Sequence, residues 1–210
     1  KVVSTDKYTP LSFYNKLWGY DLNNDYVLVM NDPSREYYKV YQIEYDRHTY
    51  DGHDWVYLNL PNEEVKPMLI ASLKDSTAMY ISCDVNKFLN RQKGVMDLKN
   101  FDYESLLGVT MTMDKKERII THASASSHAM TLIAVDIDKA SSKPTKWMVE
   151  NSWGKENGFK GNYIMTDEWF NEYMFRFVLN KKYVPESVAK LLKQKPIKLP
   201  AWDPMFAPEE

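Results

Sequence analysis

A chain of 210 residues and 24.7 kDa, 44% hydrophobic and 27% charged, has the size and composition of one large or two small globular domains, which excludes a disordered tail or a peptide hormone. A formal net charge of −2 and a pI near 6.1 supply no bulk attraction to nucleic acid or to an anionic membrane. The single Cys83 excludes an intrachain disulfide and a four-cysteine zinc site and favours a reducing compartment, so a cytoplasmic location is expected.

The start Lys1-Val2-Val3-Ser4-Thr5-Asp6 has neither an initiator methionine nor the apolar core of a signal peptide and reads as a cut; no run reaches the roughly 18 apolar residues of a membrane span. Thr9-Pro10 followed by apolar residues 11, 14, 17 and 18 predicts a short capped helix. Asn31-Asp32-Pro33-Ser34 reads as a turn, and 37–45 alternates as a strand that Asp51-Gly52 turns back into 55–60. Asn62-Glu63-Glu64-Val65 opens a helix with Asn62 as its cap and Val65, Met68, Leu69 and Leu73 as its buried face. A β-rich run follows at 77–85, then a polar stretch 86–99 expected as loop or weak helix. Closely spaced strands are predicted at 129–135, 146–150 and 162–165, giving an antiparallel sheet or half-barrel. Segments 166–173 and 185–193 read as helices, and beyond Pro196 the chain is too rich in proline to continue one.

The chemistry concentrates in three phrases: Ser126-Ser127-His128-Ala129-Met130, Val149-Glu150-Asn151-Ser152-Trp153-Gly154 and Gly158-Phe159-Lys160-Gly161-Asn162-Tyr163-Ile164. A histidine heading a strand, then Asn-Ser-Trp-Gly at a strand end, then a Gly-Phe-x-Gly-x-Tyr strand, resembles the histidine and asparagine half of papain-like cysteine peptidases. Flanking phrases narrow the resemblance to the bleomycin hydrolase and aminopeptidase C branch, namely Asn31-Asp32-Pro33, Tyr57-Leu58-Asn59-Leu60-Pro61, Cys83-Asp84-Val85, Met165-Thr166-Asp167-Glu168-Trp169 and Leu199-Pro200-Ala201-Trp202-Asp203-Pro204-Met205. The implied fold is α+β: a papain-like barrel lobe with an antiparallel sheet, added helices and an extended C-terminal arm. The expected division is a helical and hairpin segment over 1–76, the His/Asn lobe over 77–180, and a helix and arm over 181–210.

The resemblance implies His128 and Asn151 as catalytic residues and Trp153 as a supporting one. A thiol with a pKa of about 8.5 is mostly protonated at neutral pH, and an imidazole able to hold its proton stabilises the thiolate. An asparagine oxygen that accepts from the other ring N–H fixes the ring, and Trp153 shields that bond. No cofactor or metal is implied. A peptide substrate is expected, together with a nucleophile lobe missing from this chain, and copies that assemble into a hexameric ring.

Cys83 does not suit the nucleophile's role. It stands far closer to His128 than the roughly 130 residues or more of the papain pattern, lies in a strand-like run, and has Thr77 where a glutamine would help bind the oxyanion. A buried structural thiol is the better reading. The ending Met205-Phe206-Ala207-Pro208-Glu209-Glu210 departs from the short arms of the branch and puts the trimming of peptides from their amino end in question.

Two other readings compete. A noncatalytic binding or assembly module could use Lys181, Lys182, Lys190, Lys193, Lys195 and Lys198 against nucleic acid, which the net charge disfavours. A metal at His48, His53, His122 and His128 lacks any recurrent ligand spacing.

Overall fold

The computed structural model describes residues 5–206, so the expectations about the cut at residues 1–4 and the acidic ending at 207–210 lie outside the described residues. Helix α1 (Pro10–Leu17) begins as its sequence dictates: the Thr9 side chain accepts from the Ser12 N–H and the Ser12 hydroxyl accepts from the Thr9 N–H. Its apolar residues do not form a packed face, since Leu11 and Leu17 are exposed. The chain continues through α2 (Leu22–Asp25), β1 (Tyr26–Met30), β2 (Lys39–Ile43), β3 (Val56–Asn59), α3 (Asn62–Lys74) and β4 (Met79–Cys83). It then passes β5 (Leu89–Asn90), β6 (Val95–Met96), α4 (Tyr103–Leu107), α5 (Lys115–Ile120), β7 (His128–Ile137), β8 (Pro144–Glu150) and β9 (Asn162–Thr166). The last elements are α6 (Asp167–Tyr173), β10 (Met174–Asn180), α7 (Glu186–Ala189) and β11 (Ile197–Leu199).

These strands form one sheet of 11, in the order β11-β2-β3-β1-β10-β4-β7-β8-β9-β6-β5. Seven of the neighbouring pairs are antiparallel, and β1 with β3, β11 with β2, and β6 with β9 run parallel. The strand expected over 37–45 is shorter because Tyr38 and Tyr45, at φ +62° and +66°, leave extended geometry at both ends. The stretch 86–99 is a correction: it makes the β5–β6 hairpin instead of a loop or weak helix. Gly94 turns it at φ +66°, and pairing of Val95 and Met96 with Ile164 and Met165 buries Met96 completely. Asn62 is likewise the first residue of α3 and not its cap; Pro61 holds the cap position, and the Asn62 amide donates to Asn171 Oδ1 at 3.1 Å.

Alternation along the central strands divides the apolar residues between two cores. Val27 and Val29 of β1 join a large cluster with Trp147, Val149, Trp169, Phe170 and Tyr163, under α3 and α6. Met30 faces the other way, into a smaller cluster with Tyr41, Ile43, Tyr57, Phe175, Leu199 and Met205. The smaller cluster therefore seats the C-terminal arm, which is further tied by an ion pair between Arg35 and the buried Asp203. In β10 one extra residue, Phe175, bulges out where Met174 pairs with Cys83 and Arg176 with Ser82.

Lys115 of α5 is buried, with its ammonium donating to Asn31 Oδ1 and to the Met174 carbonyl, each at 2.6 Å, over the Phe175 ring. Burial pulls its pKa down to about 7, against the opposing pull of Glu172 and Asp32. Above that pH the folded protein has lost a proton that the unfolded chain keeps up to the ordinary lysine range, so stability rises with pH across this window. The expected slope is at most about 1.4 kcal/mol per pH unit, and Lys115→Met removes it in urea titrations at pH 7 to 9.5.

Candidate active site

His128 is the first residue of β7, and Asn151 follows directly on β8, the strand paired with β7. This pairing brings the two side chains together, with His128 Nε2 2.9 Å from Asn151 Oδ1. The Ser152 N–H also donates to Asn151 Oδ1, at 2.8 Å, which identifies that atom as the acceptor. Nε2 must then be the ring nitrogen that carries hydrogen, leaving Nδ1 with the free lone pair in the neutral ring. The Asn151 N–H donates to the Gly161 carbonyl at 2.9 Å, so the loop 151–161 closes on itself and fixes where the amide stands.

Trp153 lies over this pair, its ring centroid 4.8 Å from that of His128 at an interplanar angle of 37°. The indole is itself held between the Arg91 guanidinium, 4.7 Å from the ring, and the buried Tyr163, which meets it edge-on at 5.9 Å. Excluding water from one side of a hydrogen bond strengthens it and slows exchange of its proton. Beside Asn151, a shallow depression of about 330 Å³ is lined by Tyr80, Met130, Thr131, Glu150 and Ser152. Together these groups can hold an imidazole in one orientation and one tautomer, with its other nitrogen available to take or give a proton.

Cys83 pairs across the sheet with His128, a proximity that distance along the sequence concealed. The thiol is nonetheless fully buried in the large core, and burial with the neighbouring Asp84 pushes its pKa well up, away from thiolate formation. Iodoacetamide is expected to modify the folded chain at least about 100-fold more slowly than the urea-unfolded chain, as measured by intact mass. Modification at comparable rates would contradict a buried role.

Four of the six lysines expected as a basic patch are engaged with oxygen partners. Lys182 meets Asp75, Lys190 meets Glu186, Lys198 meets Glu44, and Lys181 donates to the Asn24 carbonyl. His48 meets Trp55 edge-on, and among the described residues no three or more His, Cys, Asp or Glu side chains group as metal ligands. No helix among the described residues is long and apolar enough to cross a membrane.

Residues 1–206 match the model of the peptidase C1-like family. The chain belongs to that family. It is 43% identical over 204 residues to human bleomycin hydrolase and 39% identical over 204 residues to aminopeptidase C of Lactobacillus delbrueckii subsp. lactis. Each alignment takes in 95% of this chain and 45% of the relative. The crystal structure of PepW from Lactobacillus rhamnosis superposes with a TM-score of 0.90 at 34% identity, over 96% of this chain and 46% of that one. The chain thus spans about half the length of the curated relatives it matches. The sequence phrases that resemble papain-like peptidases assign no role to Arg176, Ser82 or Ser126, which gather behind His128.

Proposed function

We propose that this chain supplies the proton-accepting and ring-orienting groups of a papain-type cysteine aminopeptidase whose nucleophile lies on a separate lobe. The observation that carries this reading is the His128 Nε2–H to Asn151 Oδ1 bond of 2.9 Å beneath Trp153. In the reaction, His128 Nδ1 takes the thiol proton and holds it as imidazolium beside the thiolate, and the thiolate attacks the peptide carbonyl. The same nitrogen then returns the proton to the leaving amine, and Asn151 keeps the ring from turning away between the two transfers.

Action at the amino end of peptides is supported by the course of the arm: the Ser126 N–H donates to the Met205 carbonyl at 3.3 Å, two residues ahead of His128. Residence in the cytoplasm and assembly of several copies belong to the same reading and rest on the family resemblance and the single buried thiol. The test is turnover of a fluorogenic aminoacyl amide by a polypeptide uniting this chain with a cysteine-bearing lobe; turnover that survives loss of His128 overturns the proposal.

A further inference from the structure

Behind His128, on the face of the sheet opposite Cys83, lies a hydrogen-bonded chain that runs from a cation to the backbone of the histidine. Arg176 Nε is 2.8 Å from Ser126 Oγ, Ser126 Oγ is 2.6 Å from Ser82 Oγ, and Ser82 Oγ is 3.1 Å from the His128 carbonyl oxygen. Its direction is fixed at both ends, because a guanidinium can only donate and a carbonyl can only accept. Ser126 therefore accepts from Arg176 and donates to Ser82, and Ser82 donates to His128. A chain headed by a charged donor is polarised along its length, so each bond is stronger than it would be alone.

The fold invests in this arrangement. The bulge at Phe175 shifts the register of β10 by one residue and sets Arg176 directly opposite Ser82, on the side of the smaller core. Tyr57 Oη accepts from Arg176 at 3.3 Å, and the Phe206 ring of the C-terminal arm covers the guanidinium, 5.4 Å from its carbon. Phe206 is held in turn by Tyr57, with ring centroids 5.1 Å apart, and by its N–H donating to the Asp203 carbonyl at 2.9 Å. The arm thus reaches this arrangement at two points: Met205 at the Ser126 N–H, and Phe206 over Arg176.

We propose that Arg176 is a positioning residue for His128, acting through Ser126 and Ser82, and that the docked C-terminal arm closes over it and completes the device. The proposal rests on the reading of His128 as the catalytic base. Its readout is independent of turnover, so failure of one is distinguishable from failure of the other.

The measurement is the exchange rate with water of the His128 Nε2–H proton in ¹⁵N spectra of the chain, assigned by replacing His48, His53 and His122 in turn. Arg176→Met is expected to speed exchange by about tenfold, the equivalent of one charge-assisted hydrogen bond. Ser126→Ala, which removes one oxygen from a partly buried segment, is expected to speed it less, because Arg176 Nη2 also donates to Ser82 Oγ directly at 3.4 Å, and the double variant no more than Arg176→Met alone, because both routes start at Arg176. Phe206→Ala moves the signal in the same direction. A role confined to stability lowers the denaturation midpoint while leaving the ring proton as in the parent chain; that result, or effects of Arg176→Met and Ser126→Ala that multiply, overturns the proposal. If Arg176→Met does not fold, unchanged exchange in Ser126→Ala overturns it alone, and an unchanged signal in Phe206→Ala removes the arm from the device.

Discussion

His128→Ala is expected to lower kcat/KM for an aminoacyl amide by about 10⁴-fold or more in the polypeptide that joins this chain to a cysteine-bearing lobe. The size of the effect follows from the number of steps that use the ring. Without it no group within the described site holds the thiol proton, the nucleophile reverts to an ordinary thiol, and the amine departs without a proton. Asn151→Ala retains the base but frees its rotation; loss of one hydrogen bond to a partly buried ring corresponds to about 10- to 100-fold. The order of the two losses is itself informative. An Asn151 loss as large as the His128 loss would mean that the amide does more than orient the ring, whereas no loss at either position would leave the geometry without a catalytic purpose. Cys83→Ala in the same background is expected to leave kcat/KM unchanged, since that thiol faces the core.

The parts of this site that could be read from sequence are those set by local rules and ordered motifs. Thr9-Pro10 gave a helix start because capping is a short-range matter, and His128, Asn151 and Trp153 could be grouped because their phrases follow one another on paired strands. The central strands could not be read in the same way. Tyr26–Met30 and Met174–Asn180 lie side by side inside the sheet, and apart from Arg176 and Asn180 their residues are apolar at successive positions, so the sequence shows no polar alternation to separate them from any other apolar run. Arg176 was hidden for a related reason. Its partners Tyr57, Ser82, Ser126 and Phe206 come from four distant segments, and the bulge that aims it at Ser82 has no signature in the sequence around Phe175. The misreading of 86–99 has the same origin, since the parallel pairing of β6 with β9 that orders it is a contact between segments far apart in the chain.

The Gly158-Phe-x-Gly phrase carries the second large expectation, a loss of about 2–5 kcal/mol in Gly158→Ala, measured by urea denaturation. Gly158 has φ +61°, and a Cβ built there would lie 2.5 Å from the Asn162 carbonyl oxygen and 2.5 Å from two ring carbons of Tyr163. A left-handed backbone costs a non-glycine residue about 1–2 kcal/mol, and forcing a methyl group into a filled space adds about 1–3 kcal/mol. The crowding is shared from the other side: a Cβ on Gly94 would come within 2.5 Å of Gly158 Cα, so the β5–β6 hairpin and the loop after Asn151 meet backbone to backbone. Tyr163 cannot move without disturbing Trp153, which it meets edge-on, and Trp153 overlies His128. Gly158→Ala should therefore also speed exchange of the His128 Nε2–H proton. Gly154→Ala separates the two contributions, because Gly154 has φ +88° but nothing within 4 Å of its added carbon. That variant is expected to lose only about 1–2 kcal/mol. Equal losses in the two variants would make backbone strain the whole cost and remove close approach as the reason for a glycine at 158; the larger loss at 158 ties that glycine to the packing that holds Trp153 over the histidine.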